Sequence, residues 1–174
     1  LKFGQSIREE GPSWHRKKSG TPTMGGIIFI IAVTIAVFLT SVTTQSLAVL
    51  CTALGFGLIG FADDYIKIAK KRNLGLTAKQ KMAAQILVAA AFALFMMQAG
   101  KNALLHIPFT DIDIDLGYWF IPVSMFVTVG MVNSVNLTDG LDGLASFIST
   151  VVSIFFAVAA KKYGFSSIAV VCSA

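Results

Sequence analysis

Charge is what this sequence has least of. Only 13% of its 174 residues are Asp, Glu, Lys or Arg, against 55% apolar, where a soluble domain carries about 25% charge. With a mean hydropathy of +0.75, that shortfall excludes an ordinary cytosolic enzyme, a disordered tail and a nucleic-acid module. Cysteine is scarce too. Cys51 and Cys172 both lie in apolar runs, with no CxxC and no His/Cys cluster, so they give no sign of a metal or a disulfide and read as buried thiols. Nor does a basic head with an apolar core open the chain, as a signal sequence would. The charge that remains is basic, 14 Lys and Arg against 9 acids for a net +5. In so apolar a chain this excess points to a membrane surface before it points to DNA.

The absence of charge has an order along the chain. Residues 19–62 form a run of 44 without one charge, twice what a membrane helix needs, since about 20 residues cross the hydrocarbon. Its one polar dip, at 41–46, divides it into helices near 25–40 and 47–66. Further uncharged stretches cover 82–100, 116–138 and 143–160, and 163–174 is still apolar where it stops. The expected fold is an all-α polytopic membrane protein in a single transmembrane domain. Five full transmembrane helices and the start of a sixth are expected, at about 25–40, 47–66, 79–99, 118–136, 143–160 and 165–174. Beginning without Met and stopping inside an apolar run, the chain reads as an internal piece of a larger polytopic protein.

The few charges orient the helices. Lys2, Arg8, Arg16, Lys17 and Lys18 precede the first span, and Lys67, Lys70, Lys71, Arg72, Lys79 and Lys81 fall between spans two and three. Positive loops stay cytoplasmic, which places 1–24, 67–81 and the link around 137–142 in the cytosol. Lys161 and Lys162 are the discordant pair, too few to reverse the rest. By this parity Asp63, Asp64, Asp139 and Asp142 gather on the cytosolic side, and Asp111, Asp113 and Asp115 on the other. A carboxylate at a membrane helix end is costly unless paired or wet, and so marks a candidate site.

Some motifs have plain explanations. Gly55-Phe-Gly57-Leu-Ile-Gly60 matches a dinucleotide-binding pattern, but that pattern requires a strand before it. Inside an apolar run, small residues that let helices approach are the better account. Asp111-Ile-Asp-Ile-Asp115 lacks the glycine and glutamate of a calcium loop. Its strict alternation gives instead a short external β-hairpin near 107–117.

Others carry chemistry. Asp63-Asp64-Tyr-Ile-Lys67 closes an apolar helix, with Lys67 and Lys71 one and two turns beyond Asp63. Neighbouring carboxylates raise each other's proton affinity unless a cation lies between them, so the pair reads either as a snorkelling, salt-bridged helix end or as a divalent-metal or acid–base site beside groups able to hold phosphate. The stretch Asp139-Gly-Leu-Asp142 could be a plain helix–loop–helix turn with Asp142 capping the next helix, but Asn133 and Asn136 stand one turn apart ahead of it, and together they offer the oxygens and amide donors that a hard cation or a nucleobase edge needs. Lys17 and Lys18 precede Thr21-Pro-Thr23-Met-Gly-Gly26, cations followed by hydroxyls and glycines that allow close backbone approach.

In order and spacing, Lys18-Ser-Gly-Thr-Pro-Thr-Met-Gly-Gly26, Asp63-Asp64-x-x-Lys67 and Asn136-Leu-Thr-Asp-Gly-Leu-Asp-Gly143 resemble the phospho-N-acetylmuramoyl-pentapeptide transferase family, over essentially the whole chain. The resemblance implies a Mg²⁺-dependent enzyme of the bacterial cytoplasmic membrane, multi-pass and dimeric, with its cleft on the cytoplasmic face. It would transfer phospho-MurNAc-pentapeptide from UDP-MurNAc-pentapeptide to undecaprenyl phosphate, giving lipid I and UMP for peptidoglycan synthesis. Asp63 and Asp64 match the family's catalytic pair. Lys18, Thr23, Asn136, Asp139, Gly140, Leu141 and Asp142 match its uridine and diphosphate pocket, and Lys67, Lys71 and Lys79 match basic positions near the phosphates. Asp63, Asp64 and Asn136 are the implied metal ligands, with a further aspartate and a histidine-rich loop expected beyond residue 174, so that this piece alone is not expected to turn over. Two other readings stand beside it. A sister enzyme moving GlcNAc-1-phosphate would use the same aspartate pair, while a transporter or channel would place acids at mid-span, where this sequence has none.

Overall fold

The computed structural model describes residues 26–40, 42–70, 74–99, 103–107, 110, 112–139 and 143–173. Six helices run through it: α1 (Gly26–Thr40), α2 (Thr44–Ala69), α3 (Ala78–Gln98), α4 (Phe120–Thr138), α5 (Leu144–Lys162) and α6 (Ser166–Ser173). Two short strands, β1 (Leu104–His106) and β2 (Asp113–Asp115), join α3 to α4. The all-α architecture expected of a polytopic membrane protein is what is found. By length and composition α2, α3, α4 and α5 can each cross a membrane. Among the described residues α1 runs for 15, short of the about 20 that span the hydrocarbon.

Local chemistry sets the helix starts. Thr43 and Ser46 exchange side-chain and backbone hydrogen bonds at the head of α2, and Thr77 and Gln80 do the same for α3. These capping boxes satisfy amide groups that a helix start leaves open. The first draws α2 back to Thr44, ahead of the apolar boundary at 47. Pro122 lies in the first turn of α4, where its missing N–H is not needed. Asp142 lies outside the described residues, and the residue that caps α5 is Gly143, with a left-handed backbone at φ 80°.

The strands pair antiparallel, Leu104 opposite Asp115 and His106 opposite Asp113. The alternation therefore does mark a strand, at Asp113–Asp115, but its partner lies upstream of the 107–117 window. Beyond the hairpin, exposed Tyr118 and Trp119 form an aromatic pair of the kind that sits at a membrane interface.

Packing relies on small residues. Among the described residues, the buried apolar side chains are Val37, Ala48, Leu50, Ala89, Ala93 and Val129, while large ones such as Phe126 and Leu137 stand 80% and 82% exposed. A soluble domain does not present so much apolar surface; a bilayer takes it as solvent-matched. A Cβ on Gly55 would come within 2.9 Å of Val88 on α3, and one on Gly57 within 2.6 Å of Ile30 on α1. Two glycines of the Gly55–Gly60 pattern thus admit a helix on either side of α2, which is the close-approach role and not a nucleotide loop.

A polar clamp adds register. Asn133 on α4 donates its Nδ2 to Oε1 of Gln85 on α3 at 2.8 Å, and Gln85 is 2% exposed. At the far end Thr43 donates its hydroxyl to Ser167 of α6 at 3.1 Å, bringing α6 back beside α1 and α2. Interhelical hydrogen bonds in membranes contribute about 0.6–2 kcal/mol. Gln85→Leu should therefore lower stability by about that amount, and Gln85→Leu with Asn133→Leu by less than the two single losses summed. Thermal unfolding in detergent measures both, and additive losses would contradict the clamp.

Candidate active site

At one end of the bundle, the C-termini of α2 and α4 meet the N-terminus of α3. Asp63 and Asp64 lie in the last two turns of α2, where the helix dipole disfavours negative charge. Lys67 offsets this. Its Nζ lies 2.7 Å from Asp63 Oδ2 and 2.9 Å from Asp64 Oδ1, one ammonium bridging two carboxylates from the next turn.

The two aspartates are not equivalent. Asp63 is the more enclosed, its side chain 13% exposed against 37% for Asp64. Its second oxygen, Oδ1, accepts the backbone N–H of Leu76 at 2.8 Å. That contact needs the 74–77 segment to lie directly on the carboxylate. A Cβ at Gly75 would collide with Asp63 Oδ1, and would stand 2.6 Å from its backbone carbonyl oxygen. Glycine is required here by the space available. Asp64 is tied to Lys67 alone among these contacts, and lines the α1–α2 side of the helix.

From α3, Lys81 joins the two motifs. Its ammonium acts electrostatically on Asp63 and donates to Asn136 Oδ1 on α4 at 3.4 Å, a long and weak hydrogen bond. Gln85 and Asn133, one turn deeper on the same faces, fix α4 against α3 beneath it.

Of the residues predicted for the site, Asp63, Asp64, Lys67 and Asn136 are thus brought to one end. Lys79, in the first turn of α3, and Asp139, at the C-cap of α4, are exposed, and neither forms an ion pair among the described residues. Lys18, Thr23, Lys71, Gly140, Leu141 and Asp142 lie outside the described residues. No three His, Cys, Asp or Glu side chains cluster as a metal cage among the described residues. The donors present are two carboxylates and an amide oxygen. This hard-oxygen set suits Mg²⁺, which takes one or two carboxylates and leaves its other positions to water and phosphate.

Comparison with known proteins identifies the family. Residues 46–174 match the family described as glycosyl transferase family 4. The chain belongs to that family. Residues 18–30 also match the phospho-N-acetylmuramoyl-pentapeptide-transferase signature 1. Phospho-N-acetylmuramoyl-pentapeptide-transferases of Geobacillus sp. (strain WCH70), Shouchella clausii and Caldanaerobacter subterraneus are 44%, 46% and 50% identical to it, over 99%, 95% and 92% of this chain. The alignments cover 55%, 52% and 51% of those proteins, so this family 4 chain spans about half the length of the curated relatives it matches.

Sequence reasoning overlooked four residues at this end of the bundle. Lys81 was counted only among the basic loop charges, Gln85 not at all, and Gly75 with the Leu76 amide leaves no motif. Only Lys81 carried a signal, its charge next to a helix start. The Gly75 contact gives a direct test. Gly75→Ala should cost about 1–3 kcal/mol, the range for losing a hydrogen bond to a charged group. On an Asp63→Ala background, unfolding measurements should show most of that cost gone; an equal cost there would remove the strap on Asp63.

Proposed function

We propose that the intact protein transfers phospho-MurNAc-pentapeptide from UDP-MurNAc-pentapeptide to undecaprenyl phosphate, producing lipid I and UMP for peptidoglycan synthesis. It does so as a multi-pass, homodimeric enzyme of the bacterial cytoplasmic membrane, with its site on the cytoplasmic face. The observation that carries this reading is the Lys67-bridged aspartate pair at the same bundle end as Asn136, in a chain with the transferase signature. The basic loops flanking that end support the orientation.

The reaction joins a water-soluble anionic donor to an acceptor whose tail stays in the bilayer. An oxygen of the acceptor phosphate bonds to the sugar-bearing phosphorus, and the bond from that phosphorus to the uridylate oxygen breaks, releasing UMP. Positioning and electrostatics do most of the work in such transfers. One of Asp63 and Asp64 takes up the acceptor phosphate's proton, readying its oxygen for attack. Lys67, with Lys71 and Lys79, neutralises the diphosphate. Asn136, Asp139, Gly140, Leu141 and Asp142, with Lys18 and Thr23, hold the uridine and its phosphates. Asp63, Asp64 and Asn136 would hold Mg²⁺, which supplies positive charge to the phosphate oxygens when bound.

Offered radiolabelled UDP-MurNAc-pentapeptide or UDP-GlcNAc with undecaprenyl phosphate in detergent, the protein should form labelled lipid from the first alone. Product only from UDP-GlcNAc would transfer it to the sister activity. Asp64→Ala should lower turnover on the order of 10²–10³-fold, as removal of one preorganised electrostatic group does, with an unchanged unfolding temperature. A near-normal rate would take the pair out of the chemistry. Lys18→Ala should weaken UMP binding about 10–100-fold, the scale of one charged hydrogen bond; an unchanged titration would remove Lys18 from the pocket.

A further inference from the structure

At the end of the bundle away from the aspartate pair, the β1–β2 hairpin joins α3 to α4. Its register sorts the side chains onto two unlike faces. Leu105 pairs with Ile114, and two residues further along the Ile107 amide donates to the Ile112 carbonyl. Those four side chains therefore share one face. The other face carries Asp113 and Asp115, both exposed, with Leu104 as its apolar member. Leu105, Ile112 and Ile114 are nonetheless 49%, 55% and 43% exposed. Among the described residues each strand packs chiefly on the other, which leaves the apolar face uncovered.

A lone two-stranded hairpin is marginal in water and needs its apolar face covered. Three observations favour the bilayer as the cover. The hairpin is tethered at both ends to helices long and apolar enough to cross a membrane, so it stays at the boundary where those helices leave the hydrocarbon. It also runs directly into an aromatic pair. Asp115 Oδ1 accepts the Gly117 N–H at 2.9 Å, and Gly117, at φ 47°, turns the chain into Tyr118 and Trp119, which are 82% and 73% exposed and of the types that collect at membrane interfaces. Finally, the carboxylates are confined to one face. The opposite face can enter the acyl boundary without taking a charge with it, while Asp113 and Asp115 remain in water. We propose that the hairpin lies on the bilayer, with the face of Leu105, Ile107, Ile112 and Ile114 seated at the headgroup–acyl boundary and the acidic face toward water. Amphipathic elements in that boundary sink their apolar face about 5–10 Å. So placed, the hairpin fixes the depth of the α3–α4 connection. The proposal requires that α3 and α4 cross a membrane and is independent of the chemistry at the other end.

Fluorescence quenching tests it. The intact protein, with its native cysteines replaced by serine, carries either Ile114→Cys or Asp113→Cys, labelled with a nitrobenzoxadiazole dye. It is placed in nanodiscs of phosphatidylethanolamine and phosphatidylglycerol. Lipid bearing a nitroxide high on its acyl chain should quench the label at 114 several-fold more than the label at 113, and aqueous iodide should show the reverse order. Equal quenching of the two positions by either reagent would mean that neither face is turned to the bilayer. Protection of 114 from both reagents would mean that another protein segment or a second copy covers the face. Either result overturns the proposal. Should a label lower the unfolding temperature, Leu105→Cys and Asp115→Cys repeat the comparison on the same two faces.

Discussion

One ammonium held between two adjacent carboxylates makes the charged end of α2 possible. Asp63 and Asp64 are neighbours in sequence, lie at the unfavourable pole of a helix dipole, and belong to a helix that is otherwise apolar. Unbridged, they would repel, and one would be driven toward its neutral form. Lys67, one turn on, lies 2.7 and 2.9 Å from the two. Half-buried, the cluster avoids the full desolvation that makes deeply buried ion pairs costly, while it is dry enough for its charges to count. The Leu76 amide then secures Asp63 from the connecting segment, tying the end of α2 to the start of α3.

The rest of the arrangement works through helix contact. Gly55 and Gly57 let α3 and α1 close onto α2 from opposite sides, and Gln85 with Asn133 sets the depth of α4 against α3. Once that register is fixed, Lys81 and Asn136 face each other one turn nearer the end. Two motifs more than sixty residues apart then share one polar surface. Small residues supply proximity and the amide clamp supplies register; neither would bring the polar groups together alone.

Much of this was legible in sequence because membrane constraints are one-dimensional. Absence of charge over the length of a helix marks α2 to α5, but the cap at Thr43 was not read, and α2 starts three residues ahead of the expected 47. The aspartate pair stands out because charge at a helix end demands an explanation. What was not legible depends on facing. Nothing local to Lys81 names Asn136 as its partner, and Gln85 reads as one polar residue in an apolar helix until Asn133 appears opposite. Gly75 is a loop glycine like any other until Asp63 is found beneath it. The β-hairpin was visible only through its amphipathic strand, since Leu104-Leu-His106 carries no alternation.

The central claim is that the ends of α2 and α4 form one pocket, and a single small ligand reports on that most directly. UMP binding to the intact protein, measured by calorimetry, should weaken about tenfold or more, 1.4 kcal/mol, in both Lys67→Met on α2 and Asn136→Ala on α4. It should be unmoved by Thr43→Ala at the opposite end of the bundle. If only one of the two site variants weakened binding, the two motifs would not share a pocket and the account would be wrong.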